Sequence, residues 1–186
     1  MLMHRGTRIL ETQRLLLRPF KMEDAADMFN NWASDEEVTR FLSWNTHSSL
    51  KDSREILELW MQEYDKKENY NWAIQLKESG SVIGSIGLIN IDDTIECCEI
   101  GYCIGRAWWN KGITTEAFSE IIKFALTEVG FERLTGRHHV DNIASGSVMK
   151  KCGLVYEGTL RKIHKINTGM LVDCKYYSIL KEEFEN

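Results

Sequence analysis

Proline is almost absent from this 186-residue chain, with Pro19 the single one. Positive charge is also short, 23 Lys and Arg against 28 Asp and Glu, for a net charge of -5. A general nucleic-acid binder needs an excess of cations to neutralise phosphates, so that class is set aside. The acidic balance fits a protein that handles small or cationic substrates. No apolar run approaches the roughly 18 residues that cross a bilayer. Residues 1–8 also lack the apolar stretch of a signal peptide, so a cytoplasmic location with no membrane partner is expected. The five cysteines (Cys97, Cys98, Cys103, Cys152 and Cys174) are odd in number and form no C-x-x-C pair. A disulfide framework and a zinc site are therefore both poor readings, and no metal is expected. Repeats, low-complexity tracts and linkers are missing too. With 43% hydrophobic and 27% charged residues, the expectation is one globular domain over residues 1–186, a monomer or a homodimer.

The elements follow from periodicity. Residues 14–18 predict a strand stopped by Pro19. Glu23 and Asp24 open a helical stretch to about Ala33, and a shorter helical piece covers Glu36 to Leu42. Ile56, Leu57, Trp60, Met61 and Tyr64 recur at helical spacing, predicting a helix from Ser49 to about Lys66. Three strands then form a meander: Asn71 to Lys77, Val82 to Asn90 and Ile95 to Ile104. A helix runs to about Val129 on the apolar face Phe118, Ile121, Ile122 and Ala125. Leu134 to His138 predicts a short strand. Asp141 or Asn142 caps a helix with Ala144, Val148 and Cys152 inward and Gly153 as its stop. Leu154 to Lys165 and Met170 to Leu180 are the last strands. This order predicts an α/β (α+β) fold with a mixed, largely antiparallel sheet of about seven strands and helices on both faces.

Between the third meander strand and the next helix lies Trp109-Asn110-Lys111-Gly112-Ile113-Thr114-Thr115-Glu116-Ala117. A small-residue loop there leaves backbone N–H groups free at the positive end of the helix dipole, which suits a phosphate. The segment fits neither a Walker loop, since Lys111 precedes Gly112, nor a three-glycine dinucleotide fingerprint. A lone glycine in that place is otherwise only a tight turn.

The surrounding residues say more. The loop resembles the Trp-Gly-Lys-Gly-aromatic-Ala-Thr-Glu-Ala segment of the GNAT N-acetyltransferases, specifically their RimJ/RimL-like branch, matching it at Trp109, Lys111, Gly112, Thr115, Glu116 and Ala117. Glu99-Ile100-Gly101-Tyr102 is similar to the family's fourth strand. Asn142-x-x-Ser145-x-x-Val148-x-x-Lys151-x-Gly153-Leu154 resembles its Asn-x-x-Ser…Lys-x-Gly-Phe segment, and residues 11–18 its opening. Asn110 replaces a glycine, though Asn tolerates the left-handed region best among other residues. Thr114 stands where the family prefers Gly or Ala and places a hydroxyl near the pyrophosphate path. Trp109 takes the first position of the Arg/Gln-x-x-Gly pattern, as is usual in the branch.

The resemblance implies that the amides of Asn110, Lys111, Gly112, Ile113, Thr114 and Thr115 hold the pyrophosphate of acetyl-CoA. It also implies that Tyr102, Cys103 and Ile104 pair with the pantetheine arm, with Trp109 beside them. Lys111 is either a charge near the phosphates or a solvated lysine.

Acetyl transfer to an amine needs a neutral nucleophile, although free amines are mostly protonated at pH 7. A donor for the oxyanion and a proton for the departing thiolate also help. Glu99 sits where the family often carries a catalytic carboxylate, and it is otherwise a structural or charge-binding group. Strand alternation puts Glu99, Gly101 and Cys103 on one face. Asn142 and Ser145 share a helix side. The resemblance makes Asn142 a pantetheine contact and Ser145 a donor to the departing sulfur, against the plainer roles of cap and packing residue. His164, in a strand that borders the branch's acceptor site, could relay the amine's proton. Glu157 and Arg161 fit a Glu-Gly-x-x-Arg pattern or form a structural ion pair. His138 and His139 form no metal-like set. Cys103 is a poor acyl-enzyme nucleophile, lacking an evident His partner. Acceptor specificity is expected near Trp44, Trp60 and Trp72, for which core packing is the other reading.

The leading expectation is an acetyl-CoA-dependent N-acetyltransferase using direct transfer in a ternary complex. The acceptor is a protein amino terminus, such as that of a ribosomal protein, or a small amine or polyamine. The alternative is a non-catalytic acyl-CoA sensor.

Overall fold

Runs of β-branched and aromatic residues pair into one eight-stranded sheet in the computed structural model, which describes residues 2–184. The strands are β1 (Leu10–Glu11), β2 (Leu15–Arg18), β3 (Tyr70–Leu76), β4 (Val82–Asp92), β5 (Cys97–Ile104), β6 (Arg133–His139), β7 (Val155–Lys165) and β8 (Leu171–Leu180). Their order is β1-β2-β3-β4-β5-β6-β8-β7. β5 and β6 run parallel, and the other neighbours are antiparallel.

The helices are α1 (Ala25–Met28), α2 (Glu36–Thr39), α3 (Leu50–Gln62), α4 (Ile113–Lys123), α5 (Ile143–Lys151) and α6 (Lys181–Phe184). α1 lies between a 3₁₀ turn at Met22–Asp24 and a π turn at Phe29–Ala33, and α4 continues into a π turn at Phe124–Val129. Ser49 and Asp52 form a reciprocal capping box at the start of α3. Hydrogen bonds from Ser48 hold the Asp52 carboxyl down to about 2. Gly130 ends the α4 stretch at φ +94°, where a side chain would be strained.

Two apolar layers flank the sheet. Phe118, Ile121, Ile122 and Met149 of α4 and α5 pack with Ile86, Leu88, Cys98 and Ile100. On the other face Phe20, Met28, Trp32 and Leu57 pack on Ala73 and Val82. Helices thus cover both faces, as alternation and helical spacing require. Among the described residues, no helix is long and apolar enough to cross a membrane.

Some expectations change. The two-residue β1 raises the strand count to eight, and α6 is a further short helix; both are too short for periodicity to mark. α5 buries Gly146 and Met149, while Ala144 is exposed and Val148 and Cys152 are half-buried. Its small residues leave the apolar stripe weak, so tertiary packing sets its rotation. Trp72 is fully buried and its indole N–H donates to the Arg8 carbonyl at 2.6 Å, which removes it from any acceptor cleft. Trp60 packs on Phe20 at 5.1 Å, and Trp44 lies 5.5 Å from the His47 ring. Glu157 pairs with Arg133 at 2.5 Å and accepts from Ser178 at 2.7 Å, while Arg161 is exposed.

Candidate active site

β5 and β6 pair only at Cys97 with Arg133, Cys98 with Leu134 and Glu99 with Thr135. Beyond that point β5 stays on β4 as far as Ile104, and β6 stays on β8 as far as His139. The two strands therefore diverge and leave a gap. The Gly105 N–H donates to the Ile83 carbonyl at 2.9 Å, which fixes the alternation along β5. Odd residues turn their peptide groups to β4. Even residues, Tyr102 and Ile104 among them, turn theirs toward the gap. The Thr135 hydroxyl closes the apex by donating to the Cys98 carbonyl at 3.1 Å, and the Trp109 indole N–H takes the Ile104 carbonyl at 2.9 Å. The Tyr102 peptide groups and the Ile104 N–H turn away from β4, beyond the last β5–β6 pair at Glu99 and Thr135.

The loop into α4 lies at the mouth of this gap. Asn110 and Gly112 both take left-handed backbone, at φ +59° and +73°. Gly112 is the N-cap and no side chain caps that end. The first helical bond runs from the Glu116 N–H to the Gly112 carbonyl at 3.0 Å, so the N–H groups of Ile113, Thr114 and Thr115 precede the ladder. Glu116 secures the loop. It accepts from the Thr12 hydroxyl at 2.5 Å, the Arg14 N–H at 2.8 Å and Arg14 Nε at 2.6 Å, while Arg14 Nη1 donates to the Lys111 carbonyl at 3.0 Å. Burial works against the Glu116 carboxylate, but these bonds hold it below its ordinary range. The Lys111 side chain is exposed and Thr114 is half-buried.

Asn142 caps α5, its Oδ1 accepting the Ser145 N–H at 3.3 Å. The Tyr102 hydroxyl lies 2.6 Å from Ser145 Oγ and donates to the Ser145 carbonyl at 3.1 Å, while its ring packs 5.5 Å from Phe118. Burial pushes the Tyr102 phenol well above its usual value and keeps it protonated. This hydroxyl pair joins residues 43 positions apart, so sequence spacing had no means of signalling it.

Glu99 occupies the opposite face of β5 and is only 8% exposed. Its Oε1 lies 3.3 Å from Arg137 Nε, and its Oε2 accepts from Asn90 Nδ2 at 3.2 Å. Asn90 sits at φ +50° where the register of β4 shifts between Ile89 and Asp92, and that bulge aims its side chain at Glu99. Arg137 Nη1 donates to the Tyr176 hydroxyl at 3.2 Å. Burial, together with Arg137 and His139, pushes the half-buried His164 below its usual value. The Phe41 ring approaches His139 at 4.8 Å and brings the loop after α2 over this face. Burial pushes the Cys103 thiol up to about 12, which leaves little thiolate and speaks against it as a nucleophile.

Glu99 and His164 thus share one face with Arg137 between them. Ser145, Asn142 and the Tyr102 side chain lie on the other. Sequence reasoning passed over Asn90, Arg137 and Tyr176. Only a charge on the alternating pattern of β6 could have drawn attention to Arg137.

Against known proteins, the family model for the acetyltransferase (GNAT) domain matches residues 14–155. The uncharacterized N-acetyltransferase p20 of Bacillus licheniformis is 30% identical, over 94% of this chain and 97% of that protein. The "Putative ribosomal N-acetyltransferase YdaF" of Bacillus subtilis is 31% identical, over 91% of each chain. A crystal structure of a GNAT-family acetyltransferase from Bacillus anthracis shares the fold, with a TM-score of 0.82 at 23% identity, covering 94% of this chain and 99% of that one. A gap between diverging strands, an uncapped helix start at its mouth and these matches lead to one conclusion: the chain belongs to the GNAT family and is an N-acetyltransferase, with acetyl-CoA as the family's co-substrate.

Proposed function

We propose that this chain moves the acetyl group of acetyl-CoA directly to a primary amine, with both substrates bound at once in a single cytoplasmic GNAT domain covering residues 1–186. The observation that carries the reading is the divergence of β5 from β6 beyond Glu99, which opens the Tyr102 and Ile104 peptide groups between the α4 start and Ser145. The N–H groups from Asn110 to Thr115 bind the pyrophosphate at the positive end of α4. Tyr102, Cys103 and Ile104 supply the strand edge for the pantetheine, and Asn142 keeps its amide nitrogen for the same ligand.

Glu99 takes the proton of the incoming amine, directly or through a water, and His164 is the nearby relay. With the Tyr102 proton turned to Ser145 Oγ, 2.6 Å away, the Ser145 hydroxyl donates a hydrogen bond to the departing sulfur. Holding both substrates in the gap supplies much of the remaining acceleration. For the acceptor, the RimJ/RimL-like motifs and the name of YdaF, a putative ribosomal N-acetyltransferase, support the amino terminus of a ribosomal or other protein.

The test is acetyl-CoA-dependent thiol release over a panel of amino-terminal peptides, small amines and polyamines, with mass spectrometry of each product. Acetylated peptide amino termini are the expected result. A thermal shift with acetyl-CoA but no turnover on any acceptor would point instead to a non-catalytic sensor. Absence of acetyl-CoA binding would overturn the reading.

A further inference from the structure

The acceptor face carries a fixed cation, the Arg137 guanidinium, that a neutral amine by itself does not call for. Arg137, His139 and His164 converge there, close enough for the first two to disfavour a proton on the third. Of the groups facing them, Glu99 holds Arg137, while the exposed Asp141 lies 3.8 Å from His139 Nδ1. Arg137 commits Nε to Glu99 and Nη1 to Tyr176. Among the described residues its Nη2 has no partner, and the side chain is one-quarter exposed. With Nε and Nη1 engaged, the in-plane N–H groups of Nη2 remain to meet a carboxylate, at a fixed angle that a lysine would not present.

We infer that Arg137 is a specificity residue that binds a carboxylate carried by the acceptor, so the preferred acceptors are amines with a carboxylate a few bonds away. The inference rests on the acetyl-transfer reading of this site. It also explains the adjacency of Glu99 and Arg137. One receives the ammonium end of a zwitterion and the other its carboxylate, and Asn90 and Tyr176 fix the orientation of the pair. Two sources share this chemistry: a free amino acid and a peptide whose first residue is acidic.

The test compares kcat/KM within matched pairs, glycine with glycinamide and a peptide beginning Asp with the same peptide beginning Asn. Wild-type enzyme should favour the carboxylate member of at least one pair by roughly tenfold to a hundredfold, and the pair that responds identifies the source. Arg137→Gln should erase that preference through KM for the acceptor while leaving KM for acetyl-CoA unchanged. Arg137→Lys should retain part of it and serves if the glutamine variant does not fold. Equal rates within both pairs in wild-type enzyme, a preference for polyamines, or an unchanged preference in Arg137→Gln would overturn the inference and leave acetyl transfer standing. No thiol release with any amine would remove both.

Discussion

Glu99 is buried between a guanidinium and an amide N–H, which makes it a carboxylate with a fixed aim. Glu99→Gln preserves the shape and the Asn90 contact while removing the proton acceptor. Its kcat should fall by about 10²–10⁴, with acetyl-CoA affinity by calorimetry unchanged. Full turnover across the amine panel would exclude Glu99 from the chemistry. Histidines on three different segments share a second property. Burial pushes His47, His138 and His164 below their usual value. His138 Nδ1 donates to the His139 carbonyl at 2.7 Å, and among the described residues its buried Nε2 has no partner. Below about pH 6.5 the unfolded chain takes up protons that the native state refuses. Their stability contribution is therefore complete above that pH and is lost as pH falls toward the native values. Melting temperature should be lower at pH 5.5 than at pH 7.5, and His138→Gln should flatten part of that slope.

At the scale of elements, the junction of β5 and α4 combines two left-handed residues, an uncapped helix start and the Glu116 tether. A methyl group at Gly112 would meet only Arg14 Nη2, at 3.6 Å, so the cost of Gly112→Ala is backbone strain rather than a clash. That strain is about 1–2 kcal/mol. The variant should melt a few degrees lower and show a raised KM for acetyl-CoA with kcat at saturation little changed; an unchanged KM would detach the loop from cofactor binding. The loop, β5 alternation and the apolar stripe of α4 were legible because each repeats within a few residues. The inward face of α5 was not. There the packing of Gly146 against His138, whose Nε2 a methyl group on Gly146 would meet at 2.5 Å, settles the rotation that Ala144 and Val148 suggested otherwise.

For the whole molecule, the sheet is a platform that depends on its aromatic core. Trp72 is wholly buried, stacked 6.0 Å from Tyr70 and edge-on to Phe124 at 5.6 Å. Trp72→Ala should destabilise by about 3–5 kcal/mol, lowering the melting temperature by roughly 10 °C in a chain of this size. Calorimetric unfolding measures it, and a small shift would mean that the site collapses around the lost ring. Acetyl-CoA at a hundredfold excess over its Kd should stabilise the native state by about 2.7 kcal/mol. A thermal scan in rising ligand reads this directly.

By itself the amino-acid sequence determined the alternation of β5, the helix after Gly112 and the tight loop between them, because strand period, helix period and left-handed backbone are local properties. Glu99, Tyr102, Asn142, Ser145 and His164 became candidates through the motifs that resemble a known family, since their periodicity alone gave them only structural roles. Only the tertiary structure decided that β5 and β6 part after Glu99, that Tyr102 reaches Ser145, and that Asn90, Arg137 and Tyr176 gather around one carboxylate. Those contacts join strands and helices far apart in the chain, and they exist because two packed helix layers hold the sheet in register.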